Sequence, residues 1–320
     1  MKRRAVIALT VAGLALTGTA RGQARRLRVG RLGLVDSPAL SRAQEEGLRE
    51  LGFVEGRNIE FVSRVAGGSV DKLPVLAAEL AALQVDVIVV GTNVAIVAAQ
   101  RATSTIPIVM VLGVDPVGNG FIDSYARPGR NITGLTNEPG QQIHGKLLSL
   151  LKGLAPGSRT VGALEVQGLG IDRGAIDAAA RQLGLSMQYV TPIKDALGIE
   201  TAFAEMVRAG ADACLVLGGP IVYANRRQVA ELALRLRLPA VYFSADYVRA
   251  GGLISYGTDL VAHHKRSAYF VARILQGAKA GDLPVEQPSR FELAINRKTA
   301  RALGLSPPPS VLAQADIVIE

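Results

Sequence analysis

The chain has 320 residues, a formal net charge of +9 and 49% hydrophobic residues, but only 4% aromatic residues and a single cysteine, Cys214. This length accommodates two domains of ordinary size. The positive charges are scattered and have few aromatic neighbours, which argues against a nucleic-acid-binding surface. One cysteine can form no internal disulfide, and burial as a small hydrophobe is the role expected for it.

Residues 1–24 have the pattern of a secretory signal peptide. A charged start, Lys2 to Arg4, is followed by the apolar run from Ala5 to Leu16. That run is too short to cross a bilayer easily, and small residues suited to cleavage follow it. We expect cleavage after Ala24 and a soluble product in the periplasm, with a net charge of about +5 once the four positive residues of this segment are removed. An uncleaved anchor and a short buried helix are the alternatives.

The next part of the chain alternates strands with helices. Apolar runs predict strands at 27–35, 58–62, 85–90, 108–112 and 132–135. Helical periodicity predicts helices at 41–51, 71–83 and 92–102. The third strand is apolar almost throughout, which is typical of strands buried on both faces of a sheet.

The second half repeats this alternation. Strands are predicted at 161–166, 186–190, 213–217, 240–243, 253–256 and 291–295. Helices are predicted at 141–153, 172–183, 199–209, 223–236 and 260–276, with a short helix after the last strand. Two runs of about five strands predict an α/β protein with two doubly wound parallel-sheet lobes. An eight-fold (β/α) barrel is the competing architecture.

The sequence contains no complete catalytic, cofactor or metal-binding pattern. Gly168, Gly170 and Gly174 follow a strand and open a helix, but their spacing exceeds the dinucleotide fingerprint by one residue. The adjacent His263 and His264 point to different sides of a helix and cannot share a metal ion. A Gly-x-Ser-x-Gly nucleophile turn is also missing from the sequence. We therefore expect a protein that is not an enzyme and that holds neither cofactor nor metal.

Small and polar residues follow several strands, at the edge where open α/β sheets bind ligands. The candidate ligand-binding residues are Ser37, Gly91, Thr92, Asn93, Asp115, Glu165, Gln167, Tyr223, Ser244 and Asp246. If the lobes face each other, these residues converge on one cleft. The helix N-terminus at Thr92 suits a ligand carboxylate, and the acidic side chains can pair with an ammonium group. Taken singly, each residue is better explained as a helix cap or turn residue, and it is their shared location that favours a site.

Several motifs carry a family resemblance. They are GLRELGFVEGRN at 47–58, DPVG at 115–118, ARPGRNITG at 126–134, LPVEQP at 283–288 and ADIVIE at 315–320. In these motifs the chain resembles the ABC-transporter substrate-binding proteins, a family with tryptophan- and tyrosine-binding members. The resemblance implies a type I periplasmic binding fold, capture of a small carboxylate-bearing solute such as an amino acid or aromatic acid, and delivery to an ABC permease and ATPase in the inner membrane.

The same resemblance implies that the two lobes are joined by three crossovers. We expect these near residues 136–140, 257–261 and 283–290. The expected lobes are 25–138 with 259–283, and 139–258 with 284–320. We also expect a monomer that binds no nucleic acid. A ligand sensor without transport and a secreted enzyme on a doubly wound fold are the two functional alternatives.

Overall fold

The structure, a computed structural model, describes residues 25–137, 142–168, 171–288 and 290–320. The signal peptide expected at 1–24 lies outside the described residues. Within the described ranges, no helix combines the length and the apolar character needed to cross a bilayer.

The first half of the chain builds a five-stranded sheet. Its strands are β1 (Leu27–Gly33), β2 (Ile59–Val65), β3 (Val87–Val90), β4 (Ile108–Gly113) and β5 (Ile132–Thr136). They lie in the order β2-β1-β3-β4-β5, and every neighbouring pair is parallel. The intervening helices are α1 (Pro38–Glu50), α2 (Leu73–Ala82), preceded by a 3-10 turn at Val70–Lys72, and α3 (Asn93–Ala102). All four residues of β3 are buried, as its apolar sequence predicts.

The second half builds a seven-stranded sheet. Its strands are β6 (Thr160–Leu164), β7 (Ser186–Tyr189), β8 (Ala213–Val216), β9 (Ala240–Tyr242), β10 (Ile254–Gly257), β11 (Glu292–Asn296) and β12 (Ile317–Ile319). The order is β12-β11-β10-β9-β8-β6-β7. The remaining helices are α4 (Gln142–Leu154), α5 (Arg173–Gln182), α6 (Gly198–Arg208), α7 (Pro220–Ala224), α8 (Arg226–Arg235), α9 (Ala245–Arg249), α10 (Leu260–Leu275), α11 (Arg297–Ala302) and α12 (Pro309–Gln314), and a 3-10 turn lies at Ala280–Asp282.

This architecture confirms the predicted α/β fold with two parallel-sheet lobes and corrects its details. The second sheet has seven strands, because the predicted strand at 291–295 joins the run of five as β11 and β12 is added at the edge, and β11 runs antiparallel to β10. The chain enters β11 on its return from the first lobe, so the βαβ geometry that makes neighbours parallel does not apply there. The helix predicted at 223–236 is two helices that meet at Asn225, whose side-chain amide donates to the Ile221 carbonyl at 2.8 Å.

The chain passes between the two sheets three times, after β5, after β10 and before β11. The first passage includes residues outside the described ranges. Thr258 donates a hydrogen bond to the Asn137 side chain and so ties the second passage to the first. In the third, the Glu286 backbone bonds with Gly134 and Thr136, at 3.0 and 2.9 Å, and therefore runs beside β5.

The helix α10 packs on the first sheet, although in sequence it follows β10 of the second sheet. A Cβ atom at Gly47 of α1 would lie 2.5 Å from the Lys265 carbonyl oxygen of α10, so the two helices are in close backbone contact. We therefore propose the division expected from the sequence, with 25–138 and 259–283 in lobe 1 and 139–258 and 284–320 in lobe 2.

The two faces of the first sheet are covered by different helices. One face carries Val29, Val89 and Val111, which form a buried cluster with Leu48 of α1 and Phe270 of α10. The opposite face packs against α2 and α3. Because side chains alternate along a strand, the residues of β1 that lie two apart point to the same face.

Candidate functional site

A cavity of about 490 Å³ lies between the two lobes. It is lined by the carboxyl ends of β1, β3 and β4 from the first sheet and of β8 and β9 from the second. Its apolar walls are formed by Leu34, Val35, Leu40, Val114, Ile143, Leu147, Ile171, Leu217, Tyr223, Phe243 and Leu260. This volume and this lining are typical of small-molecule sites, in which a few polar groups orient a largely apolar ligand.

Six of the ten predicted site residues line this cavity, and four do not. The lining residues are Ser37, Gly91, Thr92, Asn93, Asp115 and Tyr223. The residues outside the lining are Glu165, Gln167, Ser244 and Asp246. Their role in ligand binding stays a prediction, and the contacts below show what each of them does in the fold.

Thr92 is the residue immediately before α3, and its hydroxyl is unsatisfied. The residue has extended backbone geometry (φ −144°, ψ 155°), and its side chain does not cap the helix. The Oγ1 atom is buried and has no hydrogen-bond partner among the described residues. The first N–H groups of a helix also have no acceptor within the helix. The N-terminus of α3 therefore presents unused donors at the edge of the cavity, which Thr92 lines, and the buried Thr92 hydroxyl beside it is a further donor without an acceptor in the described ranges.

The neighbouring polar residues of the first lobe shape the loops around this point. The Asn93 side chain donates to the Val114 carbonyl at 2.7 Å and accepts from the Val114 N–H at 2.9 Å, which fixes the loop after β4 against α3. Asp115 has a φ of 44°, and its Oδ1 accepts from the Gly118 N–H at 2.9 Å. Ser37 precedes α1 and makes no capping bond with its side chain.

On the second lobe, Asp246 acts behind the cavity wall rather than in it. The Tyr223 hydroxyl donates to Asp246 Oδ2 at 2.5 Å, and Arg249 pairs with Oδ1 of the same carboxylate at 2.9 Å. Burial and the Asp246 carboxylate together raise the pKa of Tyr223, so the phenol stays neutral. Ser244 is buried, and its Oγ accepts the Asp246 N–H at 3.3 Å as the cap of α9. Both residues therefore position the Tyr223 ring, which lines the cavity.

The loop after β6 is stabilised by its own contacts. Glu165 is largely buried and accepts two hydrogen bonds from Arg173, at 3.1 and 2.7 Å. Arg173 in turn lies over the Tyr189 ring, 4.5 Å from its centroid. Gln167 is exposed, and its backbone N–H donates to the Ile193 carbonyl at 2.9 Å. The ion pair with Arg173 satisfies the Glu165 carboxylate, so no bound ligand is needed to explain why this charge is buried.

The structure adds lining residues that were not predicted from the sequence. His144 and Asp172 lie on the second-lobe wall, and Gly218 lies at the end of β8. Burial lowers the pKa of His144, while the Asp172 carboxylate opposes this shift. These two residues start from different helices, so only the tertiary packing of α4 and α5 brings them together. A cap signal at Asp172, whose Oδ1 accepts the Ala175 N–H, was the one local sign of its position.

The pKa of His264 allows the environment of this part of the cavity lining to be tested. Burial lowers its pKa to about 4, with further lowering by His263 and Arg31, while the bond to the Leu260 carbonyl opposes the shift. Between about pH 6.5 and 4 the unfolded chain binds a proton at this position that the folded protein does not bind, so stability falls as the pH falls through this window. We expect a loss of about 1–3 kcal/mol from His264.

Urea unfolding at pH 7, 6 and 5 measures this loss. In His264→Gln the free energy of unfolding should depend less on pH over this range than in the wild type. The same slope in both proteins would contradict the buried, neutral state of His264.

Residues 29–319 match the family model described as ABC transporter substrate binding protein. The chain belongs to this family. It is 24% identical over 277 residues to a tyrosine-binding protein of Clostridioides difficile, with 85% of this chain and 79% of that protein covered. Membership confirms the resemblance that the sequence motifs carry.

Solved structures of similar proteins share the fold of this chain. A conserved domain protein from Vibrio cholerae superposes with a TM-score of 0.83 at 26% identity, over 92% of this chain and 100% of that one. An ABC domain from Streptococcus pneumoniae, crystallised with L-tryptophan, superposes with a TM-score of 0.81 at 25% identity over the same shares. The family is one of substrate-binding proteins, and its relatives include a tyrosine-binding protein and a protein crystallised with L-tryptophan. The type I periplasmic binding fold predicted from the sequence is confirmed.

Proposed function

We propose that this chain is the extracytoplasmic solute-binding component of an ABC importer, and that it captures a small carboxylate-bearing ligand between its two lobes. An amino acid or an aromatic acid is the proposed class. The observation that carries the proposal is the buried, unpartnered Oγ1 of Thr92 at the N-terminus of α3, beside a largely apolar cavity. The backbone N–H groups of a helix N-terminus suit an anion, an unpartnered hydroxyl beside them can add a further donor, and apolar walls accept the rest of the ligand.

The acidic groups of the cavity suit the ammonium of an amino acid. Asp115 of the first lobe and Asp172 of the second both line the cavity. A carboxylate has about four acceptor positions, so each of them can accept a ligand ammonium in addition to its internal bonds. The Asp246 carboxylate, for which the sequence suggested this role, is used by Tyr223 and Arg249. We therefore assign the ammonium to the lining aspartates.

Family membership supports the remaining parts of the proposal. The expected partners are an ABC permease and its ATPase in the inner membrane, and the expected state is a monomer in the periplasm after cleavage of the signal peptide. We propose that the protein binds its solute without converting it. The matching family is described as substrate binding protein and the relative from Clostridioides difficile as a tyrosine-binding protein, which favours this function over an enzyme.

A thermal-shift screen of purified residues 25–320 against amino acids and aromatic acids tests the proposal. A ligand present at about 100 times its dissociation constant adds about 2.7 kcal/mol of stability, which moves the melting temperature by several degrees. If no carboxylate stabilises the protein and neutral sugars or polyols do, the proposed ligand class is wrong.

The substitution Thr92→Val is expected to weaken binding of the best carboxylate ligand about 10- to 100-fold, because it removes a hydroxyl donor to a charged group and keeps the side-chain shape. Calorimetry measures the affinity. Thr201→Val, at an exposed position of α6, is the matched control and should bind as the wild type does. Equal affinities in all three proteins would place the carboxylate elsewhere.

A further inference from the structure

The cavity has a second polar end, away from Thr92. It continues onto the face of the first sheet that α1 and α10 cover, where Arg31, Gln44 and His264 line it. Arg31 is the fifth residue of β1 and lies two residues from the buried Val29, so it points to this otherwise apolar face. A charged side chain in such a place costs free energy unless it is paired and hydrogen-bonded, and the ion pair with Glu45 supplies part of that compensation.

The Arg31 guanidinium is held by hydrogen bonds, but not all of its N–H donors have an acceptor in the described part of the chain. Its Nε–H donates to Gln44 Oε1 at 3.0 Å, and one Nη1–H donates to Glu45 Oε1 at 2.7 Å. A third N–H reaches the Ser41 carbonyl only at 3.5 Å. A guanidinium has five N–H groups, so two of those of Arg31 have no acceptor among the described residues. Its side chain is 14% exposed, which leaves little water to satisfy them.

The surrounding groups hold this end of the cavity in place. Gln44 is 2% exposed and donates from Nε2 to the Ser267 hydroxyl at 2.9 Å, which links α1 to α10. The Phe61 ring lies 3.6 Å from the guanidinium carbon and restricts its movement. His264 donates from Nδ1 to the Leu260 carbonyl at 2.8 Å, so its Nε2 carries a lone pair. Groups fixed in this way bind a ligand without a further ordering cost.

The strand register gives the offset along the sheet between the backbone positions of the two polar ends. Arg31 pairs with Val89 of the neighbouring strand β3, and Val89 lies three residues before Thr92. At about 3.3 Å per residue the two positions are about 10 Å apart along the sheet. This backbone offset is of the same order as the length of an aromatic amino acid, and the Arg31 side chain, which reaches Gln44 and Glu45 of α1, sets the rest of the separation.

We propose that Arg31 binds an oxygen atom at the far end of the ligand, so that the solute is a bipolar molecule with a carboxylate at α3, an apolar body and a phenol or second carboxylate at Arg31. This inference rests on the proposed function and deepens it by naming the ligand class. The free N–H groups of Arg31 suit either oxygen. The lone pair on His264 gives a phenol a place for its proton, which a carboxylate does not need.

Three ligands that differ only in the para position test the assignment. They are L-phenylalanine, L-tyrosine and 4-carboxy-L-phenylalanine, used with the matching 3-phenylpropanoates, which have no ammonium group. Calorimetry on the wild type should show that a para oxygen improves affinity about 10- to 100-fold over hydrogen, since the buried donors are satisfied only by the oxygen. The better of the hydroxyl and carboxylate forms identifies the source of that oxygen.

The substitution Arg31→Gln should reduce this preference to about twofold or less. Arg28→Gln is the matched control, because Arg28 is on the same strand, pairs with Glu60 and is not part of the cavity lining. It should keep the wild-type preference. Circular dichroism and melting curves establish that both variants fold, and the comparison of ligands on the wild type needs no variant.

The outcomes separate the two proposals. If the three para forms bind the wild type equally, carboxylate binding stands and the role of Arg31 is overturned. If the para oxygen improves binding and Arg31→Gln keeps the full preference, the oxygen is bound by another residue and the assignment is again wrong. If none of the six compounds binds, the proposed ligand class fails and the inference fails with it.

Discussion

The substitution Gly91→Trp is expected to abolish solute binding and to leave the fold intact. Gly91 follows β3 and lines the cavity, and a Cβ atom placed on it would have no other atom within 4 Å. An indole at this position therefore extends into open space rather than into the packed core. It occupies a large part of a cavity of about 490 Å³ next to Thr92. We expect the affinity for L-tryptophan, L-tyrosine or a related acid to fall at least about 100-fold, as the site no longer has room for the ligand.

Calorimetry with each acid that binds the wild type measures this loss. Gly157→Trp is the control, since Gly157 also has no atom within 4 Å of a built Cβ and does not line the cavity. Both variants should melt within a few degrees of the wild type, because neither needs the surrounding structure to move. If Gly91→Trp binds the same acids with wild-type affinity, the solute does not occupy the cavity between the lobes.

The regular elements with strong local signals were predicted well from the sequence. The apolar run of β3 is buried on both faces, and the helices α1, α3 and α10 show the expected alternation of buried and exposed positions. The elements that were missed are short. α9 has five residues and β12 has three, and each forms because neighbouring elements supply its contacts.

The predicted site residues that line the cavity are mostly in the first lobe, and those that do not are in the second. The first-lobe loops at Thr92 and Asp115 line the cavity, as expected from their place at the carboxyl edge of a parallel sheet, and their role in ligand binding stays a prediction. The second-lobe acids Glu165 and Asp246 do not line the cavity, since Arg173 and Tyr223 bind them. Those partners are distant in sequence, and no local pattern shows that a carboxylate is already in use.

The second polar end of the cavity could not be predicted from the sequence either, because the residues that form it are also distant in sequence. Arg31 lies in a strand that the sequence predicts, but its role depends on α10 folding back onto the first sheet. The contact that fixes this packing joins Gln44 to Ser267, which are 223 residues apart. A pattern of apolar residues at helical spacing predicts that α10 exists, but not which sheet it covers.

The substitution Gly257→Ala is expected to lower the free energy of unfolding by about 3 kcal/mol. Gly257 ends β10, where the chain leaves the second sheet, and a Cβ atom placed on it would overlap the Phe243 carbonyl oxygen at 1.7 Å. Since that oxygen belongs to the backbone of the segment after β9, relief requires the two segments to separate. Urea unfolding measures the change. Gly157→Ala, with no atom within 4 Å of the added carbon, should alter stability by less than about 0.5 kcal/mol.

The same variant should also weaken ligand binding under conditions in which it is fully folded. The Phe243 ring lines the cavity, and Ser244, the next residue, caps the helix that carries Asp246, the partner of Tyr223. A shift of the Phe243 backbone therefore moves both aromatic side chains of the second-lobe wall. A loss of stability with unchanged affinity would mean that the strain is absorbed on the β10 side, at the passage between the lobes. A loss of both would show that the ligand depends on the position of Phe243 and Tyr223, as the cavity lining predicts.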